Sequence, residues 1–221
     1  MNLTIFDVIV VGGGHAGVEA AHAAAKLGSK TALISLSLDK ISLMPCNPSI
    51  GGVGKGHIVY EISALGGLMP KLCSKTYLQA RMLNTSKGPA VQGLRLQIDK
   101  NAYSRLSKEL LLQQPNLTLI AGKVTDLIIN SNAITGLILA DGTNLSAKSV
   151  ILTTGTFLNG LMHVGHVNYP GGRREEDSVT TLSGVLRKAG LELGRLKTGT
   201  PPRILRTSID FSQLEQQDVH E

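Results

Sequence analysis

The sequence predicts an α/β fold: a doubly wound parallel sheet carrying an antiparallel β-meander insertion at about residues 123–148. Three observations predict it. A β-branched run, Phe6 to Val11, ends in Gly12, Gly13 and Gly14 and leads straight into the alanine-rich stretch HAGVEAAHAAAKLG. A second apolar run, KTALIS (Lys30 to Ser35), follows at the short spacing of a βαβ unit, whose crossover is right-handed. Four β-like runs, LTLIAG, KVTDLIIN, AITGLILAD and LSAKSVILTTG, then come with Ser131-Asn132 and Asp141-Gly142 as turns.

In chain order, the first strand is a short buried run, and the helix after it closes at Gly28. Ser42 to Gly56, SLMPCNPSIGGVGKG, holds two prolines and four glycines and predicts an irregular loop of a length that is usually functional. Helical spacing returns over His57 to Leu65 and again over KTYLQARMLN (Lys75 to Asn84), with a second irregular loop, TSKGPAVQG, beyond. Asp99 is the expected N-cap of a helix that stops before Pro115. After the meander, Ser149 to Thr154 returns to the sheet. A helix near Val179 to Lys188 precedes a polar end without a closing core element.

The 221 residues suit one α/β domain, or one and a fragment of another, and 42% hydrophobic against 17% charged residues gives a globular core rather than a disordered chain. Two cysteines, Cys46 and Cys73, build neither a disulfide framework nor a thiolate zinc site, which points to a reducing, cytoplasmic setting. The N-terminus lacks a cationic region before its apolar run, and that run is too short for a membrane span. Aromatics are only 3% and Trp is absent, so a base-stacking platform is disfavoured and any RNA affinity is expected to be electrostatic. Net charge is +6, and basic residues crowd the last fifty positions. They suit phosphates or a solvated face, and composition favours the solvated face.

Gly12-Gly13-Gly14-His15-Ala16-Gly17 satisfies G-x-G-x-x-G between a strand and a helix. The first glycine allows the turn, the second lets a pyrophosphate approach the backbone, and the third lets helix and strand pack. The helix N-terminus then turns its N–H groups and positive dipole end to the phosphates. This predicts a Rossmann-like FAD/NAD(P)-binding fold. The acidic residue that usually holds a ribose is missing: Ser35 and Ser37 stand near its place, where loop solvation is favoured over ribose contact, and Asp39 comes late. FAD is preferred over NAD because Val150 to Gly155 resembles the second flavoprotein marker, an apolar strand ending in Ala-Thr-Gly, with Thr153 in place of the alanine.

The loop Cys46 to His57 is not a P-loop, because it has Ser49 where the first glycine should be and Gly56 after Lys55. Its glycines suit close approach to a flavin, with Lys55 adding positive charge. Cys46 reads equally as a thiolate nucleophile or as a small buried residue beside a cofactor pocket. Cys73 reads as core packing. His163 and His166 lack a third metal ligand, and a Ser-His-Asp arrangement lacks its nucleophile elbow.

GGGHAG, CNPSIGGVGKGH, SKGPAV, TGTFL, NYPGGR and GRLKTGTPPRI, in that arrangement from residue 12 to residue 204, resemble the family of the tRNA uridine 5-carboxymethylaminomethyl modification enzyme MnmG (GidA). The related folate-dependent tRNA methyltransferases share the first motif and not the cysteine loop. The resemblance implies an FAD-dependent enzyme that, with the GTPase MnmE, adds a carboxymethylaminomethyl or aminomethyl group to C5 of the wobble uridine of tRNA. It further implies a folate-derived methylene unit carried through the flavin, NADH as reductant and a homodimer, with no membrane attachment.

Carried onto this chain, Gly12, Gly13, Gly14, His15, Ala16 and Gly17 bind the FAD pyrophosphate. By the same resemblance Val124 and Ser178 fall at positions where the family contacts FAD, and Cys46 is a proposed catalytic thiol. Family members are longer, so residues 1–221 are expected to be an FAD-binding domain truncated relative to them. The NADH-binding region, a second cysteine motif and the helical C-terminal part have no counterpart in these residues. Gln92 stands where the family commonly has Arg. Two other readings remain open: a non-catalytic stand-alone FAD-binding module, and a generic NADH-linked flavin oxidoreductase acting on a small molecule.

Overall fold

The computed structural model describes residues 5–45, 47–173 and 178–216. In chain order the elements are β1 (Ile5–Val11), α1 (His15–Lys26), β2 (Thr31–Ser35), β3 (Ser49–Gly51), α2 (Lys55–Ala64), α3 (Leu68–Thr76), β4 (Tyr77–Leu83) and β5 (Gly93–Ile98). There follow α4 (Lys100–Gln113), β6 (Leu117–Ala121), β7 (Val124–Asn130), β8 (Ala133–Leu139), β9 (Asn144–Leu152), β10 (Leu161–Val164), β11 (Val167–Pro170) and α5 (Thr181–Lys188). They divide into two compact units, one of residues 1–42 and 105–195, the other of residues 43–104 and 196–221.

The first unit is built on a six-stranded sheet in the order β6-β2-β1-β9-β8-β7. β6, β2, β1 and β9 run parallel, while β8 pairs antiparallel with both β9 and β7. All five residues of β2 are buried, as expected of an inner parallel strand covered on both faces. On one face α1 packs through Gly17, Val18, Ala21, His22 and Ala25. The alanines give it a thin profile, so it lies close to β1 and β2. Another set of side chains, among them Ile9, Val11, Ile34, Leu137 and Leu139, forms a core with Leu182 of α5. Full burial of such aliphatic side chains contributes about 1.5–3 kcal/mol each.

The meander is continuous with the parallel sheet rather than a separate layer. β9 pairs with β8 through Asn144, Leu145 and Ser146 and with β1 from Ser146 to Leu152, so one strand closes the meander and re-enters the sheet. Ser131 and Asn132 both adopt positive φ in the β7–β8 turn, the geometry of a tight hairpin. Asp7 in β1 ties strand starts together by accepting from the Lys30 backbone N–H at 2.8 Å and pairing with Lys148 of β9 at 2.7 Å.

The second unit holds a three-stranded antiparallel sheet, β3-β5-β4, with α2 and α3 against it. Here the helix expected over Lys75 to Asn84 is corrected. Its body is strand β4, paired with β5 from Tyr77↔Ile98 to Leu83↔Gly93. Local helix preference in Gln79-Ala80-Arg81-Met82-Leu83 amounts to tenths of a kcal/mol per residue, and the ladder to β5 outweighs it. The second irregular loop is the connection of that hairpin, where Asn84 takes φ 60° and donates through Nδ2 to Val91 O at 2.9 Å.

Helix α3, which contains Pro70, is not among the helices expected from the sequence. Pro70 falls in the first turn, where a missing N–H costs little, and Leu68, Met69, Leu72, Cys73 and Thr76 form the buried stripe. Cys73 is core packing, as expected. The glycine loop contains one short strand, β3, where Gly51 lies so close to Leu94 O that a Cβ would stand 2.0 Å from it. Asp99 caps α4, its Oδ1 accepting from the Asn101 and Ala102 N–H groups at 3.0 Å each. Among the described residues, no helix is long and apolar enough to cross a membrane.

Candidate functional site

The sheet order reverses at β1: β2 lies on one side of it and β9 on the other. Ligands of open α/β sheets bind outside the carboxyl ends of strands at such a reversal. The carboxyl end of β1 here is the glycine turn, and the facing end of β9 is Leu152-Thr153.

The three pattern glycines have different surroundings. Gly12 adopts φ 113°, and a Cβ there would stand 2.2 Å from Thr153 O. Gly17 is the first buried residue of α1, and a Cβ there would stand 1.8 Å from Gly12 O. Gly14 is exposed and has nothing within 4 Å of an added Cβ. The first and third glycines therefore permit contact between strand, turn and helix, while the second faces open space. Gly13 is buried against Ser35, whose Oγ would lie 2.7 Å from a Cβ. His15 is half-buried and Ala16 exposed.

Gly14 is the N-cap of α1, with no side-chain hydrogen bond capping the helix and no acidic residue in its first turn. The positive end of this helix dipole is thus not neutralised from within its first turn. An anion with acceptor oxygens, laid against the open Gly14 position, fits that end of the helix, and a dinucleotide pyrophosphate has this chemistry.

Ser35 ends β2, is buried, and donates to Ser37 O at 3.0 Å. The expectation of solvation is therefore corrected for Ser35: at the end of the strand it is buried against Gly13. The late acid, Asp39, is exposed and pairs with Lys108 at 2.6 Å, and that hydrogen bond holds its carboxyl below the ordinary range.

Val124 begins β7 with its side chain buried in the core. Ser178 is buried and precedes Val179, whose N–H donates to Phe157 O at 2.8 Å and whose carbonyl accepts from Asn159 N. It thus adjoins the TGTFL segment that leaves β9. Cys46 lies outside the described residues. Its neighbour in the loop, Ser49, receives Lys55 Nζ on its carbonyl at 2.9 Å and Arg95 Nη2 on its hydroxyl at 3.2 Å.

Gln92 donates to Lys87 O at 3.0 Å, a use of the side chain within its own loop. Of the late basic residues, Arg187, Lys188, Arg195, Lys197, Arg203 and Arg206 are exposed, in keeping with solvated positions, and Arg173 stacks over Phe157 at 4.9 Å. Two residues at the turn had no assigned role in the sequence: Thr153, legible only as a departure from Ala-Thr-Gly, and Ser42, which no pattern marks.

Comparison with known proteins bears on the whole chain. The family model for glucose inhibited division protein A matches residues 7–221. The tRNA uridine 5-carboxymethylaminomethyl modification enzyme MnmG of Alkaliphilus metalliredigens is 50% identical over 215 residues, covering 97% of this chain and 34% of that protein. That of Geobacillus kaustophilus is 52% identical over 212 residues, covering 96% and 34%. The structure of Aquifex aeolicus GidA superposes with a TM-score of 0.90 at 48% identity, over 95% of this chain and 35% of that one. A GidA-related protein from Thermus thermophilus shares the fold, with a TM-score of 0.61 at 22% identity, covering 83% of this chain and 68% of that one. The chain spans about a third of the length of the curated relatives it matches, 34% for both quoted above. It belongs to the GidA (MnmG) family.

Proposed function

We propose that these residues are the FAD-binding part of an enzyme that modifies C5 of the wobble uridine of tRNA. The observation that carries the reading is the open Gly14 position at the uncapped positive end of α1, set at the sheet's topological reversal. Membership of a family whose named relatives are tRNA uridine modification enzymes supplies the substrate class. For the full-length enzyme the proposal includes the GTPase MnmE as partner, a homodimer, NADH as reductant and a carboxymethylaminomethyl or aminomethyl product. For residues 1–221 it is narrower: a domain that holds the cofactor.

When bound, FAD supplies redox and carrier chemistry that side chains lack. The chain's own residues bind and orient. The N–H groups at the start of α1, from His15 to Gly17, receive the pyrophosphate, and Gly14 lets it approach. Val124 and Ser178 contact the cofactor. Cys46 is proposed as the thiol that adds to the uridine ring, since C5 is a poor nucleophile until the ring is activated.

The test is the purified chain itself. Co-purifying or added FAD at a ratio near one per chain, identified by its spectrum and by chromatography of the released flavin, is the expected result. A folded chain that takes up no FAD would overturn the reading.

A further inference from the structure

The main-chain carbonyls of the glycine turn are all engaged from within the protein. Val11 O accepts from Thr153 N at 2.8 Å and from Thr153 Oγ1 at 2.9 Å. Gly12 O accepts from the same hydroxyl at 3.2 Å. Gly13 O accepts from Ser42 N and Gly14 O from Val18 N, at 2.8 and 2.9 Å. An anion approaching the turn therefore meets a surface whose acceptors are drawn back, at a helix start whose N-cap, Gly14, makes no side-chain cap hydrogen bond.

Of these partners, only Thr153 contributes a side chain. Its hydroxyl has one proton to share between two carbonyls, and it reaches them from the end of β9, the strand across the sheet reversal. The same oxygen lies 2.6 Å from where a Cβ on Gly17 would be, so hydroxyl, Gly12 carbonyl and Gly17 share one small space. A peptide held in that way cannot rotate its oxygen toward the mouth without losing the hydrogen bond.

We propose that Thr153 is a positioning residue of the pyrophosphate site: its hydroxyl ties the Val11 and Gly12 carbonyls to β9 and so keeps the turn a surface of donors. It touches no phosphate and acts through the main chain of residues 11–14. The inference rests on the flavin reading of this site and adds to it the group that shapes the site. The alanine of the common Ala-Thr-Gly marker lacks that hydroxyl, whereas serine retains it.

The experiment compares Thr153→Ala and Thr153→Ser with the native chain in two measurements. FAD affinity is read by titration of flavin fluorescence, and amide hydrogen exchange over residues 12–18 is read in the ligand-free protein. Thr153→Ala should weaken FAD by about tenfold, equivalent to about 1.4 kcal/mol, and speed exchange in the turn while other segments exchange as before. Thr153→Ser should restore both within about twofold.

Native affinity together with native exchange in Thr153→Ala would overturn the role of the hydroxyl, as would failure of Thr153→Ser to restore a loss. If Thr153→Ala does not fold, native behaviour of Thr153→Ser set against loss in Thr153→Val supports the proposal, and equal loss in both overturns it. No FAD uptake by the native chain would overturn the flavin reading instead. The exchange comparison decides the role of Thr153 in that case too.

Discussion

Two glycines of one motif should fail in opposite ways when each becomes alanine. At Gly17 the new Cβ would stand 1.8 Å from Gly12 O, whereas a carbon meets an oxygen at about 3.3 Å, so the backbone must give by about 1.5 Å. That obstacle is main chain, held by Thr153 and by the strand, and it cannot swing away as a side chain would. Overpacking costs about 1–3 kcal/mol, and a backbone clash belongs at the upper end. For a chain of this size about 3 kcal/mol lowers Tm by roughly 6–12 °C.

At Gly14 the new Cβ meets nothing within 4 Å, and φ −76° with ψ −177° suits alanine. The change costs only the poorer N-cap preference of alanine, about 0.5 kcal/mol, or roughly 1–2 °C. The methyl group would nevertheless occupy the path of the pyrophosphate and weaken FAD by about tenfold or more. Thermal unfolding followed by circular dichroism and FAD titration read the two effects separately. Native FAD affinity in Gly14→Ala would refute the placement of the ligand, and native Tm in Gly17→Ala would refute the steric reasoning.

Asp99→Ala removes the cap of α4 and should destabilise the chain by about 1 kcal/mol, which denaturant unfolding measures as a lower midpoint at unchanged slope. The carboxyl of Asp7 is held below its ordinary value of 3.8 first by the hydrogen bond from Lys148 and then by that from the Lys30 N–H. A depressed carboxyl contributes stability that is present above the unfolded value and lost as pH falls through the folded one. Tm measured from about pH 6 to about pH 2.5 should therefore fall less in Asp7→Asn than in the native chain over the acid end, and parallel curves would count against the pairing. Cys46→Ser, made in a full-length relative, should abolish tRNA modification while FAD stays bound. Modification at the native rate would remove the thiol from the chemistry.

Much of the first unit was legible because its signals are local. A β-branched run closed by three glycines, an alanine-rich helix and a second apolar run at βαβ spacing leave few arrangements, and in the second unit Asp99 likewise announces its helix by one side chain. Lys75 to Asn84 was misread because the partner that makes β4 a strand, Gly93 to Ile98, lies beyond an irregular loop. Helix α3 was not expected either, and its Pro70 is no local guide: whether a proline interrupts a helix or opens it depends on where the helix starts. Ser35 was misplaced because burial depends on neighbours from other elements, here Gly13.

By itself the order of residues determined the strand–turn–helix that opens the chain, the glycine pattern, and the family to which the motifs point. Those properties reside in spacing and in local backbone preference, which act over a few residues. Only the tertiary structure decided that β9 lies beside β1, that Thr153 reaches the Val11 and Gly12 carbonyls across 142 and 141 positions, and that Gly14 alone of the three pattern glycines faces open space. Such contacts arise when distant segments share one sheet, and short-range preference carries no record of which strands will become neighbours.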